Sequence, residues 1–211
     1  HESLNKNISG DGNSALGMQS LFNNTTGDYN TAIGYHAGLA STSATLNTLV
    51  GAFSGDALTT GTTNCALGYL TLSSETTAQR NTAMGYSALA NQNFASGQQA
   101  LNTAYGFFAG LDVTTGKENT LIGGNAAENL TDADYNVAIG VYALNTDTKG
   151  SKTVAIGRSA LSQQNFTSAT DSNNTAVGYY AGLQVTDGTS NSFVGKEAGK
   201  NVTTGSNNVF V

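Results

Sequence analysis

Few side chains in this 211-residue sequence could do acid–base, nucleophilic or metal chemistry, and their types and spacing narrow the field at once. There are two histidines, His1 and His36. One internal histidine gives no basis for a Ser–His–Asp set, and His36 has no second His or Cys at ligand spacing. Cys65 is the sole cysteine, which excludes an intrachain disulfide and any Cys-rich zinc site. No histidine stands near it in sequence to activate a thiolate. The acids Asp132, Asp134, Asp147, Asp171 and Asp187 fall in Gly-, Thr- and Asn-rich turn stretches, where a solvated role is expected. A calcium site would need EF-hand or GGxGxDx spacing, which the sequence does not carry. Gly-x-x-x-x-Gly spacings recur without the Gly-Lys-Ser/Thr ending of a phosphate loop. The expectation is a non-enzymatic chain with no catalytic residue, cofactor or metal.

What does recur is a string. NSALGM begins at Asn13, NTAIGY at Asn30, NTLVGA at Asn47, NCALGY at Asn64 and NTAMGY at Asn81. NTAYGF at Asn102, NTLIGG at Asn119, NVAIGV at Asn136, TVAIGR at Thr153, NTAVGY at Asn174 and NSFVGK at Asn191 continue it, and Asn208 opens another copy. The central glycines fall at 17, 34, 51, 68, 85, 106, 123, 140, 157, 178 and 195, in steps of 17 residues except two of 21. A 72-residue unit lies above this period: 30–101, 102–173 and a partial 174–211. Its second coil carries Leu49, Leu121 or Phe193 where the others carry Ala. Its 21-residue coil takes four extra residues after Gln92-Asn93-Phe94 or Gln164-Asn165-Phe166.

Each coil is numbered here from its Asn as position 1. The apolar runs are too short for helix, and the coil is rich in Gly, Thr and Asn. Positions 2–4 (Thr-Ala-Ile) predict a short strand, the invariant Gly at position 5 a backbone site closed to a side chain, positions 6–9 a second strand, and positions 13–15 (Thr-Thr-Gly) a turn. The fold class expected is all-β: a parallel β-solenoid, or β-roll, of about 12 coils across 1–211. At ~4.8 Å per coil this is a shaft of roughly 55–60 Å. Asn at position 1 is expected to bond its counterparts above and below and to cap the turn: Asn13, Asn30, Asn47, Asn64, Asn81, Asn102, Asn119, Asn136, Asn174, Asn191 and Asn208. Position 3 is small and position 4 is large and aliphatic. Successive strand residues face opposite ways, so both strand faces are apolar; one closes the coil and the other is expected to meet another chain. Both ends fall in mid-coil without capping coils, which reads as a window on a longer array.

Composition agrees. The chain is 38% hydrophobic and 10% charged with net charge −6, Gly 26, Pro 0 and Trp 0. The acidic balance argues against a nucleic-acid partner, and no apolar run reaches transmembrane length, so no membrane insertion is expected.

The strings Thr153-Val154-Ala155-Ile156-Gly157 and Asn136-Val137-Ala138-Ile139-Gly140 resemble the head repeats of trimeric autotransporter adhesins. The NTAIGYxAG pattern with TTGSNN turns is similar to repeat regions of bacteriophage tail fibres. The resemblance implies a homotrimeric, elongated structural fibre or adhesin on a virion or cell surface, contacting a host glycan or protein. The coil here is longer than in the adhesin heads, which leaves cross-section and handedness open. Two alternatives remain: a self-polymerising extracellular filament subunit, and an ice-binding solenoid.

The ice reading comes from position 13, which is Thr25, Thr42, Thr59, Thr76, Thr114, Thr131, Thr148, Thr186 and Thr203, and stacked Thr resembles the face of β-solenoid antifreeze proteins. The same Thr-Thr-Gly closes a turn through hydroxyl-to-backbone bonds, and position 14 changes to Asp132, Lys149 and Asp187, which favours the turn. Candidate contact residues for a fibre are Tyr35, Tyr179 and Tyr180 at positions 6 and 7, and Phe94 and Phe166 beside the four-residue insertions, which are expected to protrude as loops.

Overall fold

The structure is a computed structural model describing residues 2–211; His1 lies outside the described residues. It is all-β. Among the described residues there is no helix, and so none long and apolar enough to cross a membrane. The chain falls into two compact units, His1–Asn102 and Thr103–Val211, and their boundary lies one residue from that between the 72-residue units 30–101 and 102–173.

The first unit carries β1 (Ser14–Leu16), β2 (Thr31–Ile33), β3 (Thr48–Val50), β4 (Cys65–Leu67) and β5 (Thr82–Met84). Each pairs in parallel with the next, and the register joins equal positions of successive coils: Ala15↔Ala32, Ala32↔Leu49, Leu49↔Ala66, Ala66↔Ala83. The second unit carries β6 (Thr103–Tyr105), β7 (Thr120–Ile122), β8 (Val137–Ile139), β9 (Gly150–Ser151), β10 (Val154–Ile156), β11 (Thr170–Asp171), β12 (Thr175–Val177), β13 (Ser192–Val194) and β14 (Val209–Phe210). Pairing obeys the same rule, and β9 with β11 forms a small parallel sheet of its own. Counted along the chain, this is a parallel β-solenoid of about 12 turns at 17-residue spacing.

Positions 6–9 are not the second strand that their sequence suggests. They belong to overlapping turns in which the backbone bonds alternately inside the coil and between coils. In the coil from Asn13, the amide of Ser20 donates to Gly17, Phe22 to Gln19 and Asn24 to Leu21. Leu21 and Asn23 donate instead to Ala37 and Leu39 of the next coil. The alternation requires left-handed residues at positions 7 and 9, and a third stands at position 17: Gln19 (φ 57), Leu21 (φ 49) and Tyr29 (φ 55) in this coil. Such a conformation costs a non-glycine residue about 1 kcal/mol or more. It is accommodated because each one closes an amide–carbonyl pairing that would otherwise be lost.

Position 5 is different in kind. Its φ runs from 125° to 143°, outside the left-handed well that other residues tolerate. The backbone of the next coil also lies directly against it: a Cβ on Gly34 would sit 2.4 Å from the Gly51 oxygen, and one on Gly140 2.6 Å from that of Gly157. This explains a glycine in every coil here, while position 7 takes Gln, His, Phe, Leu, Ser, Asn, Tyr or Glu.

The interior is lined by positions 3, 8, 9, 12 and 15. Ala32, Ala37, Ala44, Leu49, Leu58, Ala66 and Leu72 in the first unit are fully buried, as are Ala104, Ala109, Val113, Leu121, Ala126, Leu130 and Leu144 in the second. The 72-residue unit has a packing logic. Where position 3 is large, position 9 of that coil and of the one before it is small. Leu49 lies between Gly38 and Gly55, at 2.9 and 2.8 Å from where their Cβ atoms would be. Phe193 lies between Gly182 and Gly199 in the same way. Elsewhere position 9 is Leu72, Leu89, Leu144 or Leu161, in coils with Ala at position 3.

Gly140→Ala is expected to lower unfolding free energy by about 4 kcal/mol or more, since strain and a backbone collision add. Gly124→Ala, with no atom within 4 Å of its Cβ and no positive φ, should stay within about 0.5 kcal/mol of the parent in chemical denaturation.

Candidate functional site

The residues with potential for chemistry do not converge. His36 is half-buried: its ring stacks on Tyr35 at 3.8 Å and its Nε2 lies 2.8 Å from the Gln19 Oε1 of the previous coil. Cys65 is half-buried on β4 with a free thiol. Among the described residues no group of three His, Cys, Asp or Glu side chains is placed to hold a metal ion. Asp132, Asp171 and Asp187 are exposed, and Asp134 is half-buried with its Oδ1 accepting the Lys117 amide at 2.8 Å.

The asparagines of position 1 form a ladder inside each unit. Asn30 donates both its backbone amide (2.9 Å) and its Nδ2 (3.1 Å) to the Asn13 Oδ1, while the same Nδ2 donates to the Ala44 carbonyl at 2.7 Å. Asn47, Asn64 and Asn81 repeat the pair of bonds in the first unit. Asn191 does so on Asn174, and Asn208 on Asn191. In the same unit Asn136 donates its amide to the Asn119 Oδ1. Thr153 keeps the backbone half of the bond, to the Asn136 Oδ1 at 2.9 Å. The Asn136 Nδ2 is left buried without an acceptor. Asn102 donates its amide to the Asn81 Oδ1 at 3.3 Å.

The 21-residue coils reverse an expectation. Phe94 and Phe166 are 3% and 6% exposed, so neither is a surface contact. The extra residues widen the turn, and the ring fills the added space, Phe94 against Ala78 and Ala100. What protrudes is small and polar: Ala95–Gln99 and Thr167–Ala169 are exposed.

Beneath each insertion sits a buried carboxylate that the sequence pattern did not flag or, for Asp147, placed in solvent. Glu75 is fully buried, its Oε1 accepting the amides of Thr77 (2.8 Å) and Ala78 (2.7 Å) and its Oε2 the Gln92 Nε2 (3.1 Å). Gln92 in turn accepts from the Asn102 Nδ2 at 2.8 Å. Asp147 is equally buried, with Oδ1 accepting from Gly150 and Phe166 amides and Oδ2 from the Gln164 Nε2; Gln164 accepts from Asn174. The signal was present at position 12, where an acid succeeded one coil later by Gln recurs 72 residues on. These networks support the insertions and reach no solvent.

The position-13 threonines are also committed inside the chain. The Oγ1 of Thr25 donates to the Thr42 carbonyl at 2.9 Å, Thr59 to Thr76 at 2.9 Å and Thr131 to Thr148 at 2.9 Å. They act as turn hydroxyls.

The surface left open to a partner is the outer face of the strands. With position 3 inward, positions 2 and 4 point out, and neither carries a charge in any coil. In the first unit Leu16, Ile33 and Leu67 are exposed and Val50 and Met84 half-buried. In the second, Tyr105, Val177 and Val194 are exposed and Ile122, Ile139 and Ile156 half-buried. Beside this column stand the aromatics of positions 6 and 7. In the first unit Tyr35, Phe53, Tyr69 and Tyr86 succeed one another with ring centroids 5.2, 6.0 and 5.2 Å apart. In the second, Tyr179 and Tyr180 lie 4.0 Å apart, Tyr179 exposed and Tyr180 half-buried.

Comparison with family models, with curated proteins and with solved structures finds no match to the chain.

Two substitutions measure the insertion supports. Glu75→Leu strands two backbone amides and the Gln92 amide, and is expected to cost about 3 kcal/mol or more of unfolding free energy. Phe94→Ala is expected to cost about 3–5 kcal/mol through the void it leaves, whereas a surface ring would cost under about 0.5 kcal/mol.

Proposed function

We propose that this chain is a non-enzymatic structural segment of a surface fibre or adhesin, which assembles with further copies of itself through the outer face of its strands. The observation that carries this reading is the uncharged column of Leu, Ile, Val, Met and Tyr at position 4, open along the outer face of both units. An apolar surface of this regularity is costly in water and is relieved by burial against a like surface. Equal spacing of coils lets the column of one copy meet that of another in constant register. Three copies is the number that the resemblance to adhesin heads implies, and a virion or cell surface is the setting.

A second reading draws support from the same face. At position 2, Thr48 is exposed and Thr31, Thr82, Thr103, Thr120 and Thr175 are half-buried, on the same outward side as position 4. Outward hydroxyls beside aliphatic side chains would suit an ordered water surface, although Cys65, Val137 and Val154 interrupt the row.

Light scattering after size exclusion separates the two. The fibre reading expects a particle of three times the 21.5 kDa chain mass. Ile33→Arg with Leu67→Arg and Ile139→Arg should release single chains whose circular dichroism is unchanged. A parent chain that is a stable monomer and produces freezing-point hysteresis, abolished by Thr48→Lys, overturns the fibre reading in favour of the second.

A further inference from the structure

The second unit contains one cluster that the repeat does not require. Tyr179 and Tyr180 stand at positions 6 and 7 of their coil. The Arg158 guanidinium, at position 6 of the preceding coil, lies 5.9 Å from the Tyr179 ring centroid and 5.4 Å from that of Tyr180, and its Nη1 donates to the Tyr180 hydroxyl. The Lys200 Nζ lies 5.4 Å from the Tyr180 ring and 3.6 Å from the Glu197 carboxylate. Lys196 comes after Tyr179 in the position-6 column and is exposed, as is Arg158. Two of the eight cationic residues of an acidic chain therefore lie against one tyrosine pair and a third, Lys196, follows in the adjacent coil, with Glu197 as the acid beside Lys200.

The fold places no demand for charge there. The two earlier 72-residue positions equivalent to Tyr179–Tyr180 are Tyr35–His36 and Phe107–Phe108. Where Arg158 stands, those coils have Met18 and Tyr86; where Lys196 stands, Ala52 and Gly124; and where Lys200 stands, the acids Asp56 and Glu128. A backbone that accepts all of these is indifferent to the side chain. Three independent changes to cations, one of them a reversal of sign, converge on a single aromatic pair of which Tyr179 is exposed. A local departure from an otherwise consistent pattern is where function rather than folding is expected to show.

We infer that Arg158, Lys196, Lys200, Tyr179 and Tyr180 form a binding site for an acidic saccharide. The guanidinium has donors beyond the one given to Tyr180, and its planar fork matches a carboxylate or sulfate group. The exposed Tyr179 ring offers a flat apolar platform to a sugar ring, and the ammonium groups attract the next acidic residue along the chain. Hydrogen bonds from Tyr179 and then Arg158 hold the Tyr180 hydroxyl below its usual pKa, which ties the pair to the guanidinium. Unpaired cations at position 6 are expensive to bury between copies, so this edge stays in water when the position-4 face is covered. The inference deepens the fibre reading and rests on it for the setting in which such a ligand is met.

The test titrates the full 211-residue chain with four probes at low salt: a galacturonate tetrasaccharide, a heparin-derived tetrasaccharide, a neutral maltotetraose and a single-stranded DNA oligomer. Binding of at least one acidic probe, loss of affinity of tenfold or more in Arg158→Gln and in Tyr179→Ala, and weakening with added salt are expected. Lys117→Gln, away from the cluster, should bind as the parent does. The two acidic probes distinguish a carboxylate from a sulfate source. Failure of both acidic probes at millimolar concentration, equal binding by Arg158→Gln, or equal affinity for maltotetraose or a single-stranded DNA oligomer overturns the inference. The mass of Arg158→Gln in solution should equal that of the parent. A trimer that binds no acidic probe removes this site alone, and a monomer that binds one removes only the fibre reading.

Discussion

Everything in this fold depends on how closely one coil can approach the next. At position 5 inside each unit, from Gly17 to Gly68 and from Gly106 to Gly178, the backbone of one coil rests against that of the next with no room for a single carbon atom, and that contact sets the spacing at which the other ladders operate. Given the spacing, parallel strands at positions 2–4 can pair, asparagine amides at position 1 can reach from coil to coil, and the turn amides of positions 7, 9 and 11 can find carbonyls in a neighbouring coil. Stability is then summed from nearest-neighbour terms along one dimension, as in other repeat proteins. Chemistry obeys a different logic. A solenoid repeats its surface, so a catalytic constellation, which needs unlike groups brought together once, has to arise as an exception to the repeat.

The division between inside and outside is equally strict. Positions 3, 8, 9, 12 and 15 build the interior mainly from Ala, Leu, Val and Gly, with a few buried polar groups among them. Positions 2 and 4 face out and are uncharged, and positions 6 and 7 carry the rings. The buried acids Glu75 and Asp147 show that charge is admitted to the interior only where backbone amides and a glutamine amide are arranged to receive it. They sit one coil below the insertions, where the regular hydrogen bonding of the turn is interrupted. Arg158 and its neighbours show the opposite case, charge added at the surface where the backbone is indifferent to it.

Much of this was legible in the sequence, because a feature repeated at constant spacing is read many times over. The period, the strand at Thr-Ala-Ile, the glycine at position 5 and the inter-coil role of asparagine all come from alignment of the copies. Left-handed residues at positions 7, 9 and 17 did not show, since Leu70, Phe108, Tyr142 and Glu197 are ordinary residues held at positive φ by hydrogen bonds to adjacent coils rather than by their own preference. Positions 6–9 consequently read as a strand. Phe94 and Phe166 were placed outside because an insertion suggests a loop, whereas here the loop is anchored by its ring and exposes only the small polar residues beyond it. The Arg158 cluster escaped notice because its members come from three coils, and one of the intervening steps is 21 residues long.

The interlock of large and small residues at positions 3 and 9 has a consequence for how such a chain can change length. Remove the coil at 30–46 and Leu21 would meet Leu49 in space meant for a glycine; remove the coil at 47–63 and Gly38 would face Ala66 across a void. These two coils are therefore not interchangeable with the others, although they share the same strand and turn pattern. The whole 72-residue unit can be copied or lost without disturbing this interlock, because every large residue at position 3 brings its own Gly or Ala at position 9. Genetic duplication or deletion by 72 residues therefore keeps the interior in step, whereas loss of coil 30–46 or of coil 47–63 alone does not.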